Sequence, residues 1–192
     1  MSEFRGFIAV DIDTNSKIEK ILSELEGSGA FIKLVELKNI HITIKFLGSI
    51  DFCNTEEIND IIKNATNNIQ PFKIELAGMG VFPNQNYIKI IWIGIKKVEI
   101  LNNISKKIEY ELNDAGYGNK AQKFYPHITI GRVKSAKNKE KILEIVDKYK
   151  NTKLSEIIID SIKLKKSELT PEGPIYTDIL DINFNKGVDK CN

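Results

Sequence analysis

Both histidines of this chain stand at the head of the same four residues. HITI runs from His41 to Ile44 and again from His127 to Ile130, and the 192 residues hold no third histidine. Alternating β-branched residues mark strands, and in a strand residues i and i+2 point to one face. His41 therefore projects with Thr43, and His127 with Thr129, while the intervening isoleucines face the other way. Two strands so alike, far apart in one chain, favour a fold that joins two related halves.

The surroundings of the motifs repeat as well. FRGFIAVDI reads as a strand. Ser16 with Glu19 has the form of a capping box, and Ile18, Ile21, Leu22 and Leu25 then recur at helical spacing up to Gly27 and Gly29. A short strand around FIKLV leads into the first HITI. Asn54 with Glu57 again resembles a cap, and Ile58, Ile61, Ile62, Ala65 and Ile69 predict a second helix, stopped by Pro71. FKIELAG and YIKIIWIGI read as strands joined through the turn residues of MGVFPNQN. A third helix runs from Val98 to Leu112 and ends at Gly116 and Gly118, before the second HITI.

Ile142, Leu143, Ile145, Val146 and Tyr149 then predict a fourth helix. LSEIIIDSIKL and PIYTDILDINF close the fold as strands, and the polar NKGVDKCN is expected to fray. Strand, helix, HITI strand, helix and strands thus occur twice, a twofold repeat of a large unit. No low-complexity linker divides the halves, so one domain of two lobes spanning 1–192 is expected. Strands alternating with helices would by themselves suggest parallel βαβ units.

Composition narrows the class. With 42% hydrophobic and 28% charged residues, the chain lies outside the range of disordered sequences. Its 28 basic and 26 acidic residues leave a net charge of +2, so a polyanion must be recognised by a local patch. Cys53 and Cys191 have no CxxC spacing, which suits a reducing cytosol and gives no support to structural zinc. Glu3, Arg5 and Asp11 interrupt the first apolar stretch, unlike a signal peptide. The longest apolar runs, such as IIWIGI, fall far short of the roughly 20 residues of a membrane helix. A cytoplasmic protein without membrane contact is expected. No GxxxxGK[ST] loop, GxGxxG turn, HExxH or GxSxG occurs, so ATP-driven and zinc-driven chemistry is unsupported.

Two imidazoles and two hydroxyls around one cavity suit phosphate-ester transfer. Histidines titrating near neutral pH can divide the roles of acid and base, and threonine hydroxyls can donate to an oxyanion. Arg132, five residues after His127, offers a forked cation for phosphate oxygens. Strict alternation puts it on the face opposite His127, so it joins the site only if the strand ends, bulges or twists near Gly131. Two readings are open for Tyr125, stacking of a nucleobase or packing in the core. Lys134, Lys137, Lys139 and Lys141 are either RNA contacts or a solvated face. Lys45 shares the nominal face of His41, unless its long side chain leaves for solvent.

With both HxTx motifs in view, the chain resembles the 2H phosphoesterase superfamily, and within it the RNA 2′,3′-cyclic phosphodiesterases, also called 2′-5′ RNA ligases. RGFIAVDI, KNIHITIKFLG, GVFPN followed by IIWIGI, YPHITIGR and SELTPEGPIYTDIL fall in the expected order over nearly the full chain. The resemblance implies an α+β fold of two pseudosymmetric lobes, with antiparallel sheets lining a central cleft and helices outside. It implies opening of an RNA-terminal 2′,3′-cyclic phosphate to a 2′-phosphate, with His127 as proton acceptor and His41 as proton donor. Thr43 and Thr129 would hold the non-bridging oxygens, Arg132 and Tyr125 would bind substrate, and no metal or cofactor is required. Implied partners are RNA ends bearing the cyclic phosphate, tRNA fragments among them, met by a monomer. The resemblance also implies that reverse, ATP-independent 2′-5′ ligation could occur at the same site as a side reaction. The alternatives are a phosphodiesterase of small cyclic nucleotides and a non-catalytic module that binds RNA ends. Identical motifs cannot themselves say which histidine is acid and which is base.

Overall fold

One residue, Asp160, separates two strands that lie near opposite ends of the same sheet, and this link forces the sheet to curl. The computed structural model describes residues 2–117, 124–171 and 173–185. In chain order its elements are β1 (Glu3–Asp11), α1 (Ser16–Gly27), β2 (Ile32–Leu34), β3 (His41–Asp51), α2 (Thr55–Thr66), β4 (Phe72–Pro83) and β5 (Ile88–Lys96). There follow α3 (Glu99–Asp114), β6 (His127–Val133), α4 (Lys139–Tyr149), β7 (Lys153–Ile159), β8 (Ser161–Leu169) and β9 (Pro174–Asn183). Strand order across the sheet is β7-β4-β5-β6-β3-β1-β8-β9, with the short β2 also against β6. Each neighbouring pair is antiparallel. The fold is therefore α+β and antiparallel, as the resemblance implied, and the parallel units suggested by local alternation do not form. Helix α1 lies in the chain between β1 and β3 and α3 between β5 and β6, yet both of these strand pairs run antiparallel, while the strands flanking α2 and α4 are not sheet neighbours.

The two halves of the sheet meet at β3 and β6, which share a single registered pair, Ile42 opposite Ile128. The curl of the sheet makes its helix-free face concave, a cleft on the side opposite the core. The other face is buried: Ile42, Ile44, Ile128 and Ile130 enter a continuous apolar core with the inner faces of the four helices. α2 packs on α3, α1 on α4, α3 on β3 and α4 on β4. No helix among the described residues is long and apolar enough to cross a membrane.

Several local expectations are corrected. The cap of α1 is Asn15, not Ser16: its side-chain oxygen accepts from the N–H groups of Lys17 and Ile18 at 2.9 and 3.2 Å. Asn54 precedes α2 but caps nothing, because its Oδ1 takes the Cys53 thiol at 3.3 Å, while Glu57 accepts the Tyr117 hydroxyl. α2 stops at Thr66 rather than running on towards Ile69, since Asn67 is extended and Asn68 left-handed, with φ 62°.

The β4–β5 turn occupies only residues 84–87, where Asn84 Oδ1 accepts two N–H groups at 3.0 Å; MGVFP belongs to β4. Gly80 serves there as a strand residue, because a Cβ at this position would lie 2.2 Å from the Trp92 ring. The run LSEIIIDSIKL is two strands, split at Asp160, one pairing with β4 and the other with β1 and β9. Gly118, Cys191 and the rest of NKGVDKCN after Asn185 lie outside the described residues, and the Asn185 N–H donates to the Ile69 carbonyl at 3.1 Å.

Candidate active site

The register at the seam settles which side chains share the cleft. Antiparallel pairing of Ile42 with Ile128 puts Thr129 opposite His41 and His127 opposite Thr43. All four face away from the core. Diagonal neighbours in such a ladder are roughly 7–8 Å apart at the backbone, which leaves room for one phosphate between the imidazoles.

Both imidazoles are anchored in the same way. His41 Nδ1 lies 2.8 Å from the carbonyl oxygen of Asn39, and His127 Nδ1 lies 2.6 Å from that of Tyr125, each two residues upstream. A carbonyl only accepts, so each Nδ1 carries the proton that it donates, and Nε2 is left as the reactive nitrogen. Each ring also rests on a phenyl group from another strand. Phe7 of β1 lies 5.2 Å from His41, and Phe82 of β4 lies edge-on, 5.1 Å from His127. The two lobes thus build the same device twice.

The outer ends of the two rings differ. His41 Nε2 is 3.1 Å from Thr43 Oγ1, its ring meets the edge of Tyr176 at 5.4 Å, and Asp11 is its cross-strand neighbour. Burial pushes the His41 pKa below its ordinary 6.5, and the charges of Lys165 and Arg132 push the same way, against the Asn39 carbonyl and Asp11. Lys165 is held by Asp11 at 2.9 Å and Asp178 at 2.5 Å; Lys163 joins both aspartates and Asp181. Free His41 should then titrate below 6.5, as followed by NMR of its ring protons. Inorganic phosphate in the cleft, by offsetting the two cations, should move the midpoint up. A midpoint at or above 6.5 in the free protein would contradict this electrostatic account.

A bulge explains where Arg132 goes. Against β5, Gly131 faces Ile91 but Thr129 faces Trp92, so Ile130 is an extra residue in β6. Parity inverts there, and Arg132, opposite Ile90, comes to the same face as Thr129, opposite Trp92. The condition placed on Arg132 by its sequence position is met.

β3 bulges at the equivalent place. Lys45 faces Ile8 but Thr43 faces Ala9, so Ile44 is the extra residue. Lys45 is therefore turned away from His41, which corrects the expected face. It is 8% exposed and forms an ion pair with Glu109 of α3 at 2.7 Å. The same inversion brings Phe46, 52% exposed, to the cleft, in the place that Arg132 holds in the other lobe.

Tyr125 does not pack in the core: its ring is 62% exposed and meets the edge of Phe82 at 6.4 Å. Lys134, Lys137 and Lys141 are exposed beside β6 and at the start of α4. A surface hollow elsewhere, between α2 and α3, is lined by Glu56, Glu57, Asp60, Glu111 and Asp114 and would repel a polyanion. Tyr176, Asp11, Lys165, Phe7 and Phe82 were not singled out from the sequence. The first two lie within GPIYTDIL and RGFIAVDI, but only cross-strand register and ring contact show that they surround His41.

Comparison with known proteins agrees with this geometry. The family model of LigT-like phosphoesterases matches the chain twice in succession, over residues 10–92 and 93–176, one copy for each HITI motif. A protein of Methanocaldococcus jannaschii named RNA 2′,3′-cyclic phosphodiesterase is 44% identical over 174 residues, which cover 90% of this chain and 96% of its own length. One of the same name from Methanothermobacter thermautotrophicus is 33% identical over 177 residues, covering 91% and 96%. Among solved structures, a Thermus thermophilus protein has a TM-score of 0.75 at 20% identity, covering 96% of this chain and all of its own. E. coli LigT complexed with 3′-AMP has a TM-score of 0.72 at 17% identity, with the same coverage. Matched along nearly its whole length by the family model and by archaeal relatives, the chain belongs to the LigT-like phosphoesterase family.

Proposed function

We propose that this chain is an RNA 2′,3′-cyclic phosphodiesterase that opens a terminal 2′,3′-cyclic phosphate to a 2′-phosphate by acid–base catalysis with two histidines. The observation that carries the reading is the pair of imidazoles anchored through Nδ1, each presenting Nε2 on the cleft side of adjacent strands, with Thr43 Oγ1 beside that of His41. The relatives' names supply the substrate. Water attacks phosphorus, a new P–O bond forms, and the bond to the 3′ oxygen breaks. His127 Nε2 takes the proton from water, and protonated His41 gives one to the departing 3′ oxygen. Thr43 and Thr129 donate to non-bridging oxygens, and Arg132 offsets the charge of the transition state. Anionic phosphate raises the proton affinity of His41, so binding itself favours the acid form of that residue.

In this reading the whole chain works as one bilobal, cytoplasmic monomer, with tRNA fragments among its substrates and reverse 2′-5′ ligation as a side reaction. The test is hydrolysis of a short RNA ending in a 2′,3′-cyclic phosphate, with EDTA present. Formation of a 2′-phosphate product supports the proposal. Intact protein that releases none, yet cleaves small cyclic phosphates or only binds the RNA, would replace it with one of the alternatives.

A further inference from the structure

Only two of the 28 basic residues are arginine, Arg5 and Arg132, and the fold brings both to the cleft. Arg132 reaches it through the bulge at Ile130. Arg5 lies on β1 two residues before Phe7, opposite Ser49, so alternation puts it on the face that carries Phe7, Ala9 and Asp11. Along that face, the rings of Phe7 and Phe46 stand between Arg5 and the row of His41.

Both guanidinium charges act on the Tyr176 hydroxyl, whose pKa burial raises and whose cationic neighbours Arg132, Arg5 and Lys165 oppose that rise. The Tyr176 ring also touches those of Phe7 and His41, with centroids 5.0 and 5.4 Å away. By the register of β1 and β3, the order along this face is thus His41, then Phe7 with Tyr176, then Arg5.

Arg5 is exposed and has no ion-pair or hydrogen-bond partner among the described residues. The nearest carboxylate on its own strand face, Glu3, accepts the Ser49 hydroxyl at 2.5 Å instead. Lysine meets every other need for positive charge in this chain. Arginine differs in offering a planar fork that grips phosphate oxygens in pairs. A free guanidinium beyond the catalytic groups, separated from them by aromatic rings, matches an RNA chain that continues past the reacting end: a phosphate, a nucleoside, then another phosphate.

We propose that Arg5 binds the phosphodiester one nucleotide to the 5′ side of the cyclic phosphate, so that the preferred substrate is an oligonucleotide end rather than a lone cyclic nucleotide. This rests on the phosphodiesterase reading above. The test compares kcat/KM for a dinucleotide ending in a 2′,3′-cyclic phosphate with kcat/KM for the corresponding mononucleoside 2′,3′-cyclic phosphate. Wild type should favour the dinucleotide. Arg5→Ala should lower the dinucleotide-to-mononucleotide ratio by about 10- to 100-fold, the worth of a charge-assisted phosphate contact, and Arg5→Lys should fall between. The salt dependence of dinucleotide turnover should become shallower by about 0.7 in logarithmic slope, one phosphate contact fewer.

A ratio unchanged in Arg5→Ala, a loss shared equally by both substrates, or a wild type without preference overturns the assignment of Arg5 while leaving the phosphodiesterase reading intact. Wild-type protein that cleaves neither substrate overturns that reading and the assignment with it.

Discussion

Alanine at His127 should lower kcat on a cyclic-phosphate RNA end by about 10² to 10⁴, or roughly 3 to 5 kcal/mol of barrier, and alanine at His41 should do the same. The size follows from the geometry. Each Nε2 is the only reactive nitrogen that its ring presents, because Nδ1 is committed to the carbonyl of Asn39 or Tyr125. The double variant should lose far less than the product of the two single losses, since an acid without its base drives the same step poorly. Neither change should unfold the protein, because both rings sit on the cleft side of the sheet and the core isoleucines beside them are untouched. Circular dichroism with steady-state turnover checks this. A single variant within tenfold of wild type would remove that histidine from the mechanism.

Alanine at Ile128 should cost about 2 to 5 kcal/mol of stability, the range for removing a large aliphatic side chain from a core. Ile128 is 0% exposed and forms, with Ile42, the only registered pair between β3 and β6. The cavity would open at the seam where both halves meet, inside the continuous apolar core. A matched variant at Ile158, 59% exposed on β7, should change stability by no more than about 0.5 kcal/mol. Urea denaturation of the two variants decides the matter, and equal midpoints would show that the seam contributes nothing special. Because His127 and Thr129 flank Ile128 on β6, the seam variant should also turn over more slowly under native conditions.

Much of the site was legible in the chain because strands encode their faces locally. HITI places His and Thr on one side and two isoleucines on the other, whatever follows, and the family resemblance then put both motifs at one phosphate. Arg132 and Lys45 show where local reading stops. Both follow the fourth residue of a motif, and strict alternation assigns each to the wrong face. In both strands the extra residue is that fourth one, Ile44 or Ile130, and it reverses the parity of all that comes after. Helix caps failed for a related reason: Asn15, Ser16 and Asn54 are all good capping residues, and the hydrogen bonds actually made depend on which neighbour competes for the side-chain oxygen.

The amino-acid sequence by itself determined that two halves repeat, that four helices and their strands recur around the two HITI segments, and that His41, Thr43, His127 and Thr129 turn away from the core. Each of these follows from period, propensity and repetition, which act over a few residues. Only the tertiary structure decided that β3 and β6 lie side by side, that bulges carry Arg132 and Phe46 into the cleft and Lys45 out of it, and that Tyr176, Asp11, Lys165 and Arg5 gather around that cleft. Those outcomes depend on hydrogen-bond register between strands far apart in the chain. A shift of one residue there exchanges the faces of a strand while its own sequence stays the same.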